Sequence, residues 1–594
     1  LLGFVGLALL PLACDYKDTK RQPPRSVAVG PLPTSVFSAP SAPNKSATKS
    51  TASTTATAAF ADTPEQREKR EAILTSVLRL IENAGTTAEG DSFAIAAQNL
   101  NQYFEVGTIP PDYVLTPESR AFLAENLNEP MIKEIESRVF DQRVDALHIE
   151  DCMIYHAVAS RIAGEGDDMT RVRRIFDWMV RHVQLIPPMS LAAPNGLHAQ
   201  ARPADVMLRG MAAEAEGGYW TERGWLFMAL CRQIGVDVGL VSYQVIRPPS
   251  LLSNQPDSPG SDDPIIWASA AIIDGKAYLF DHRLGIPIPN AKGDGIATIE
   301  EAFTNPQILG RLDLPGQSKY GTTQKELLAS PIKVTVLLDS SRGYYSPKMR
   351  LLQSRLAGKN RTILYRDVAE QAISFVQAIG KERLGNVRLW QLPLIVENGL
   401  FNNPAFNTAT QYGQRIFDKL LPLRYARLAQ LKGETSEAIK QYVAIRFASG
   451  AVMRDKKTVI PASIQRELDV HATHFLGLAN LELNNKPQAE FFFKQLLSIT
   501  PNPGPQVEPC FMFRWGANTN LAYLNVDKGD LATATRYFAQ PDFRNPISRQ
   551  SHGNLWQARQ IVWNDPMAPL AEELPPAPAY TQIVDEKPKP ATAK

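Results

Sequence analysis

Apolar positions recur every three or four residues through much of the chain, the period of a helix with one buried face. In TRVRRIFDWMVRHVQL, Val172, Ile175, Phe176, Met179 and Val180 share such a face. SFAIAAQNLNQYFE and PMIKEIESRVFDQRV carry the same pattern upstream. The folded body is predicted to open at DTPEQREKREAILTSVLRLIENAG, with Thr63 as cap, Pro64 in the first helical turn and Gln66 completing a capping box. The pattern then changes. From Gly224 to Cys231 the chain is apolar all round, which predicts a helix buried on most sides, with Arg232, Gln233 and Gly235 as its stop signal. VDVGLVSYQVI reads as a strand, and PIIWASAAIIDGKAYLFDHRLGIPIP as two more around a turn at Asp274 and Gly275. A buried helix feeding an antiparallel sheet is an α+β core. IKVTVLLDSS is a further strand candidate, and SPKMRLLQSRLAG and LYRDVAEQAISFVQAIG read as helices.

Composition sets limits on this picture. A chain of 594 residues, 44% apolar and 21% charged, can bury several cores. With 63 basic against 61 acidic residues it has no long-range field for a polyanion, and no basic stripe is interleaved with aromatics. Nucleic acid is therefore not expected as a partner. Cys14, Cys152, Cys231 and Cys510 are widely spaced without a CxxC pair, which suggests neither a zinc site nor a disulfide framework. No P-loop, HExxH, GxSxG or dinucleotide fingerprint is present, so no cofactor or metal is expected.

The two ends differ from the body. LLGFVGLALLPLAC is apolar, too short for an ordinary membrane span, and ends in small residues before Cys14. It resembles a bacterial lipoprotein signal, in which the cysteine becomes the lipid-bearing first mature residue; Pro11 stands where that pattern usually has leucine. A plain secretory signal and a buried N-terminal segment are the alternatives. From Asp15 to Asp62 Ser, Thr, Ala and Pro dominate, a composition that buries too little apolar surface to offset ordering entropy and that suits a tether. The Pro-rich stretch after Trp563 reads likewise. The expected organisation is a signal segment (1–14), a linker (15–62), a helical N-terminal region (63–164), the α+β domain (165–330), a mixed connecting region (331–409), helical repeats (410–563) and a tail (564–594). The location implied is extracytoplasmic, anchored to a bacterial membrane through Cys14.

The order of elements between about residues 165 and 290 resembles the transglutaminase-like superfamily, which shares its fold with papain-type proteases and uses a Cys, His, Asp triad. In that family the cysteine opens the buried helix, ahead of an arginine that precedes the turn into the first strand, and Arg232 matches that arginine. The resemblance then places Trp220 at the nucleophile position. Aligning on Asp274 and Gly275 places Ile266 where the family's strand-opening histidine stands, and Asp281 matches the orienting aspartate. A thiol becomes a nucleophile when a helix N-terminus and an imidazole hold it as thiolate, and neither indole nor isoleucine can exchange the proton. The resemblance therefore implies a papain/transglutaminase-like core with a degenerate triad.

Other groups offer replacements, each with a plainer reading. Cys152 and His156 lie four apart on one side of a helix, a spacing that serves a nucleophile and base, two metal ligands or core packing. Cys231 sits on the apolar run and reads as a core thiol. His282, next to Asp281, should point to the opposite strand face. Glu214, Glu216 and Glu222 gather before the buried helix, where acidic residues also favour a helix dipole.

The C-terminal third carries an internal pattern. Gly477, Ala489, Phe493 and Pro501 recur at the same offsets as Ala522, Ala534, Phe538 and Pro546, and Ala426, Ala438 and Tyr442 fit in part. The offsets resemble a tetratricopeptide repeat, with small residues where helices approach and an aromatic between repeats. A generic bundle of helical hairpins is the alternative. Such arrays bind peptide segments on a concave face, and Tyr425, Arg427, Asn480, Asn518 and Asn525 sit on the first helices of the pairs. The sequence as a whole points to binding or scaffolding at the cell envelope. A cysteine-dependent hydrolase or transglutaminase with a displaced nucleophile and a purely structural envelope component are the competing readings.

Overall fold

The computed structural model describes residues 62–82, 92–107, 113–186, 201–214, 221–243, 265–314, 319–322, 324–329, 333–358, 361–402, 422–447, 462–500, 513–539 and 550–563. Helices α1 (Pro64–Glu82), α2 (Ser92–Glu105), α3 (Pro117–Asn126), α4 (Glu129–Glu136), α5 (Val144–Ala163) and α6 (Asp168–His182) come first. The start of α1 is a capping box: Gln66 N donates to Thr63 Oγ1 (3.2 Å) and Thr63 N to Gln66 Oε1 (2.9 Å). Along α6 the predicted stripe of Val172, Ile175, Phe176, Met179 and Val180 is buried, together with Trp178 and His182.

A short parallel pair, β1 (Gln184–Ile186) and β2 (Met211–Ala213), brackets α7 (Pro203–Arg209) and leads to α8 (Glu222–Arg232). Every residue of α8 is buried. From its C-terminus the chain passes through Gly235, at φ +82°, into β3 (Val238–Tyr243), β4 (Ile265–Ile273), β5 (Lys276–Asp281) and β6 (Ile286–Pro287). Asp274 and Gly275, at φ +49° and +71°, form the two-residue turn between β4 and β5. The six-stranded sheet runs β6-β5-β4-β3-β7-β8, antiparallel except where β7 (Val334–Leu338) and β8 (Leu384–Leu389) run side by side in parallel. The architecture is α+β with a mixed sheet.

Two strands thus come from residues 331–409, the expected mixed connecting region: β7 lies within the strand candidate IKVTVLLDSS, and β8 was not foreseen. The sheet crosses the boundary drawn at residue 330, because β7 continues the ladder on the free edge of β3. In the same region α13 (Val368–Ile379) covers the face opposite α8. A Cβ on Gly239 would meet Phe375 of α13 at 3.0 Å, whereas one on Gly224 of α8 would meet Leu240 at 2.9 Å. Adjacent residues of β3 point to opposite faces, so the sheet is packed on both sides. Phe176, Phe227 and Phe280 fill the α8 side, with ring centroids 5.1 to 5.3 Å apart.

Between the strands lie α9 (Ile299–Thr304), α10 (Pro306–Gly310), α11 (Gln324–Ala329) and α12 (Pro347–Arg355), and α14 (Gln391–Asn402) follows β8. The C-terminal helices are α15 (Pro422–Leu431), α16 (Thr435–Phe447), α17 (Ala462–Glu482), α18 (Lys486–Ile499), α19 (Phe513–Lys528), α20 (Leu531–Ala539) and α21 (Gln550–Trp563). They form helix pairs at the positions the offsets mark. Ala426, Ala438, Tyr442, Ala489, Phe493, Ala522, Ala534 and Phe538 are buried, and a Cβ on Gly477 would sit 2.5 Å from the Phe493 ring.

This array lies against the α+β core. Arg427 Nε donates to Met207 O (3.0 Å), Asn520 Nδ2 to Arg181 O (3.1 Å), Trp556 Nε1 to Arg311 O (2.9 Å) and Arg559 Nη1 to Asp313 O (2.8 Å). Each of these carbonyls is a backbone acceptor that water would otherwise have to serve.

Candidate functional site

The first turn of α8 is where the resemblance puts catalytic chemistry, and its side chains have other partners. The carboxylate of Glu222 accepts from Ala201 N (2.9 Å) and Ala213 N (2.8 Å) and is paired with Arg209. Burial raises its pKa, against the Arg209 charge and the two backbone donors that lower it. Arg223, fully buried, donates to His282 O at 3.1 Å and to the carbonyl of Val183. It thereby ties the end of α6 and the turn after β5 to the same point on α8. These bonds satisfy carbonyls that end elements inside the core, a structural task.

Asp281 closes β5, fully buried. Its Oδ1 accepts from Arg283 N and Leu284 N, both at 2.9 Å, which caps the turn, and its Oδ2 accepts from the Tyr320 hydroxyl at 2.8 Å. Tyr320 in turn accepts from Trp267 Nε1 (2.9 Å), and Arg283 stands 3.6 Å from Oδ2. Burial works to raise this carboxyl, but the Arg283 and His282 charges and these hydrogen bonds outweigh it and leave its pKa below the usual value. Its partners are a tyrosine, a guanidinium and backbone.

His282 does leave the strand on another side from Asp281. Its Nδ1 lies 3.0 Å from Ser269 Oγ on β4, its ring packs at Gly224, and burial pushes its pKa down to about 3. Ile266 is buried at the start of β4, opposite Ser242. Trp220, Glu216, Cys14 and Cys510 lie outside the described residues. Glu214 is buried with its carboxylate 4.0 Å from Arg283.

The thiols are equally enclosed. Cys231 is fully buried near the end of α8, and burial drives its pKa well up. The imidazole at Cys152 is that of His148, one turn before it, rather than His156, one turn after. Sγ is 3.9 Å from Nδ1 and 3.8 Å from Nε2 of His148, so the sulfur lies over the ring rather than in line with either nitrogen. His148 Nε2 donates to Leu364 O (3.0 Å), and burial holds the imidazole down at about 4. Sγ also contacts the Tyr344 hydroxyl at 3.4 Å, and burial raises the thiol pKa far above its ordinary value. A protonated thiol beside a neutral imidazole lacks the thiolate that nucleophilic attack needs. Gly343 is what admits the His148 ring, because a Cβ there would collide with it.

No family model, curated protein or solved structure matches the chain. Among the described residues no three His, Cys, Asp or Glu side chains converge on a metal position, and no helix is long and apolar enough to cross a membrane. Sequence reasoning missed the partners that occupy these groups. Arg209 and Tyr320 stand 13 and 39 residues from the groups they meet, and neither periodicity nor motif spacing couples such positions. His148 stands four residues before Cys152 as His156 stands four after it, so helical spacing alone does not choose between the two.

The five polar residues marked for a binding groove also have definite places. Arg427 is fully buried between Met207 O, Gln430 Oε1 (2.7 Å) and the face of Phe475. Asn480, Asn518 and Asn525 are buried, their amides donating to the carbonyls of Leu476, Arg514 and Leu521 one turn back. Tyr425 is half-buried.

Proposed function

We propose that this chain is a degenerate transglutaminase-like protein that acts in binding or scaffolding at a bacterial envelope, tethered through Cys14. The papain/transglutaminase-like reading is supported by the succession of buried α8, β3, and the β4–β5 hairpin, paired antiparallel in that order. The observation that carries the loss of catalysis is the first turn of α8. There Glu222 and Arg223 spend their polar atoms on Ala201, Ala213, Arg209, Val183 and His282. A catalytic cysteine of this family requires a thiolate and an imidazole free to exchange a proton at that helix end.

The helical array is then a brace that completes the core, and a protein partner meets the assembled surface rather than a free groove. Amidase and transamidation assays on the full chain, with and without thiol blocking, test the reading. No thiol-dependent turnover is expected. Turnover abolished by Cys152→Ala or Cys231→Ala would sink it. Lipid labelling of the precursor that survives Cys14→Ser would remove the tether.

A further inference from the structure

A cavity of about 40 Å³ lies between α5, the start of α7, α8, the turn after β7 and α14. By this measure it has room for about three groups the size of a water. Tyr155, Tyr344, Asp151 and Glu397 supply polar lining, and Trp225 and Phe401 give it an aromatic wall. Glu222 and Arg223 take no part in this lining, and what the cavity binds is independent of the binding or scaffolding role.

Both phenols are nearly wholly buried, and burial keeps them protonated by raising their pKa values well above the usual range. Each therefore has a proton to place. The Tyr155 oxygen accepts from Ala204 N (3.2 Å) and the Tyr344 oxygen from the Cys152 thiol (3.4 Å). Among the described residues neither phenol proton has an oxygen or nitrogen acceptor, and the Cys152 sulfur beside Tyr344 is a weak one. Buried donors are nearly always served, so the cavity that these two line must hold an acceptor.

Donors are wanted as well. Arg202 donates to Asp151 Oδ2 (2.6 Å) and Arg342 to Glu397 Oε2 (3.0 Å), so each carboxylate already has a guanidinium on one oxygen. The second oxygen accepts from no described residue, at buried Asp151 and at half-buried Glu397 alike. Half-buried Glu150, beside Asp151, adds a further negative charge, and the lining repels anions. The occupant must therefore offer an acceptor to two O–H groups, donors to two carboxylate oxygens and an apolar end to the aromatic wall. A carboxylate fails on charge, an ammonium or guanidinium has no acceptor, an alcohol has a single donor, and urea has no apolar end. A primary carboxamide has all three, with two lone pairs on its oxygen, two N–H groups and an alkyl stem.

We propose that the cavity binds a small, free primary carboxamide, its oxygen accepting from Tyr155 and Tyr344, its N–H groups donating to Asp151 and Glu397 and its stem against Trp225 and Phe401. The amide is neutral, so the guanidinium pairs around it stay intact. Acetamide, with an oxygen, an amino group and a methyl around one carbon, matches the space. Water serves the same polar groups but leaves the aromatic wall wet, whereas the amide replaces several waters with one rigid frame and covers that wall.

Saturation-transfer NMR of the full chain with acetamide at pH 8 tests this. At that pH both carboxyls, pushed up by burial to about 7, are ionised and accept. Saturable binding is expected, with a dissociation constant between about 40 µM, the ceiling for about four non-hydrogen atoms, and about 10 mM. Tyr344→Phe removes one phenol proton, leaves the bond of Tyr155 to Ala204 in place, and should weaken binding about fivefold. Leu400→Trp, at another lining position, fills the space and should abolish it. N,N-Dimethylacetamide, which has no N–H group, and hexanamide, too long for the space, should each bind at least about tenfold more weakly than acetamide. These two comparisons need no variant, so the test decides even where a substitution prevents folding. Absence of saturable binding below about 10 mM would leave the cavity to water and overturn the proposal. Equal affinity for dimethylacetamide or hexanamide, or an affinity unchanged by Tyr344→Phe or Leu400→Trp, would overturn it too.

Discussion

His182, at the end of α6, presents Nε2 to the carboxylate of Glu482 on α17 at 3.1 Å, while its Nδ1 lies 2.9 Å from the carbonyl of Trp178. A carbonyl only accepts, so Nδ1 carries a proton. Nε2 then faces a carboxylate oxygen, and the contact is attractive only when a second proton lies between them. Arg161 (3.3 Å), the Thr435 hydroxyl (3.3 Å) and Trp178 Nε1 (3.4 Å) also donate to Glu482. These hydrogen bonds and charges overcome the effect of burial and hold the Glu482 carboxyl down at about 2. One buried carboxylate of the helical array thereby collects donors from α5, α6 and α16.

Replacing Glu482 by Ala leaves Arg161 and the imidazole without their acceptor. Breaking a buried pair by removing one partner typically costs about 3–5 kcal/mol. Urea unfolding of Glu482→Ala should show a loss of that size, and a loss below about 1 kcal/mol would mean that the network is not a structural tie.

A second tie is made of backbone. Gly553 of α21 faces the Leu284 carbonyl so closely that a Cβ on it would collide with Leu284 O. Gly553→Ala must push α21 away from the turn after β5, and the bonds of Trp556 and Arg559 go with it. A destabilisation of about 1–3 kcal/mol is expected from such overpacking, together with faster amide exchange in α21. Unchanged exchange would show that α21 is not held there.

The helices were legible in the sequence and their destination was not. The stripe on α6, the capping box at Thr63, the turn at Asp274 and Gly275 and the small residues of the C-terminal pairs are local signals, read over a few residues. β8 was missed because LGNVRL buries only Leu384, Val387 and Leu389, an irregular spacing without clean alternation. The place of β7 between β3 and β8 was missed because strand pairing across nearly a hundred residues leaves no periodic trace. At the candidate site, Asp281 drew attention as a titratable residue closing a strand. Its tie to Tyr320 came from a segment that carried no motif, and Asn480, Asn518 and Asn525 pass equally as groove residues or as buried amides serving their own helix.

Exposure of those buried residues can be tested directly. A fragment spanning residues 410–563 would uncover Arg427, Phe475 and Phe513, which are buried in the full chain and meet Met207 and Gly210 of the α+β core. Such a fragment should bind a hydrophobic dye and melt without a sharp transition, unlike the full chain. A monomeric, cooperatively melting fragment would restore an independent array with a free inner face.

Cys152 and Cys231 should resist a thiol reagent in the native chain and react once it is unfolded, because burial both excludes the reagent and keeps the thiols protonated. Mass-spectrometric mapping after timed alkylation reads each cysteine separately. Rapid native labelling of either one would show an accessible thiolate.

The buried histidines set how the fold meets acid. His282 and His471 are held down at about 3 and His148 at about 4, in each case chiefly by burial, while an unfolded histidine titrates near 6.5. Between about pH 6.5 and those values the unfolded chain binds the proton and the native chain does not, so stability falls as pH falls, by about 1.4 kcal/mol per unit for each histidine. Asp151 and Glu397 act with opposite sign. Their native pKa of about 7 exceeds the unfolded value near 4, so between pH 7 and 4 the native state holds more protons and gains stability on acidification. Three terms oppose two, and the net slope from these groups is a modest loss below pH 6. Single variants separate them. His471→Phe removes one opposing term and should flatten the acid limb by about 1.4 kcal/mol per pH unit relative to the parent, whatever its effect at neutral pH. Glu397→Gln should steepen it by the same amount. Urea titrations at half-unit steps from pH 7.5 to 5 measure both, and parallel curves for His471→Phe and the parent would mean that this imidazole is protonated in the native fold.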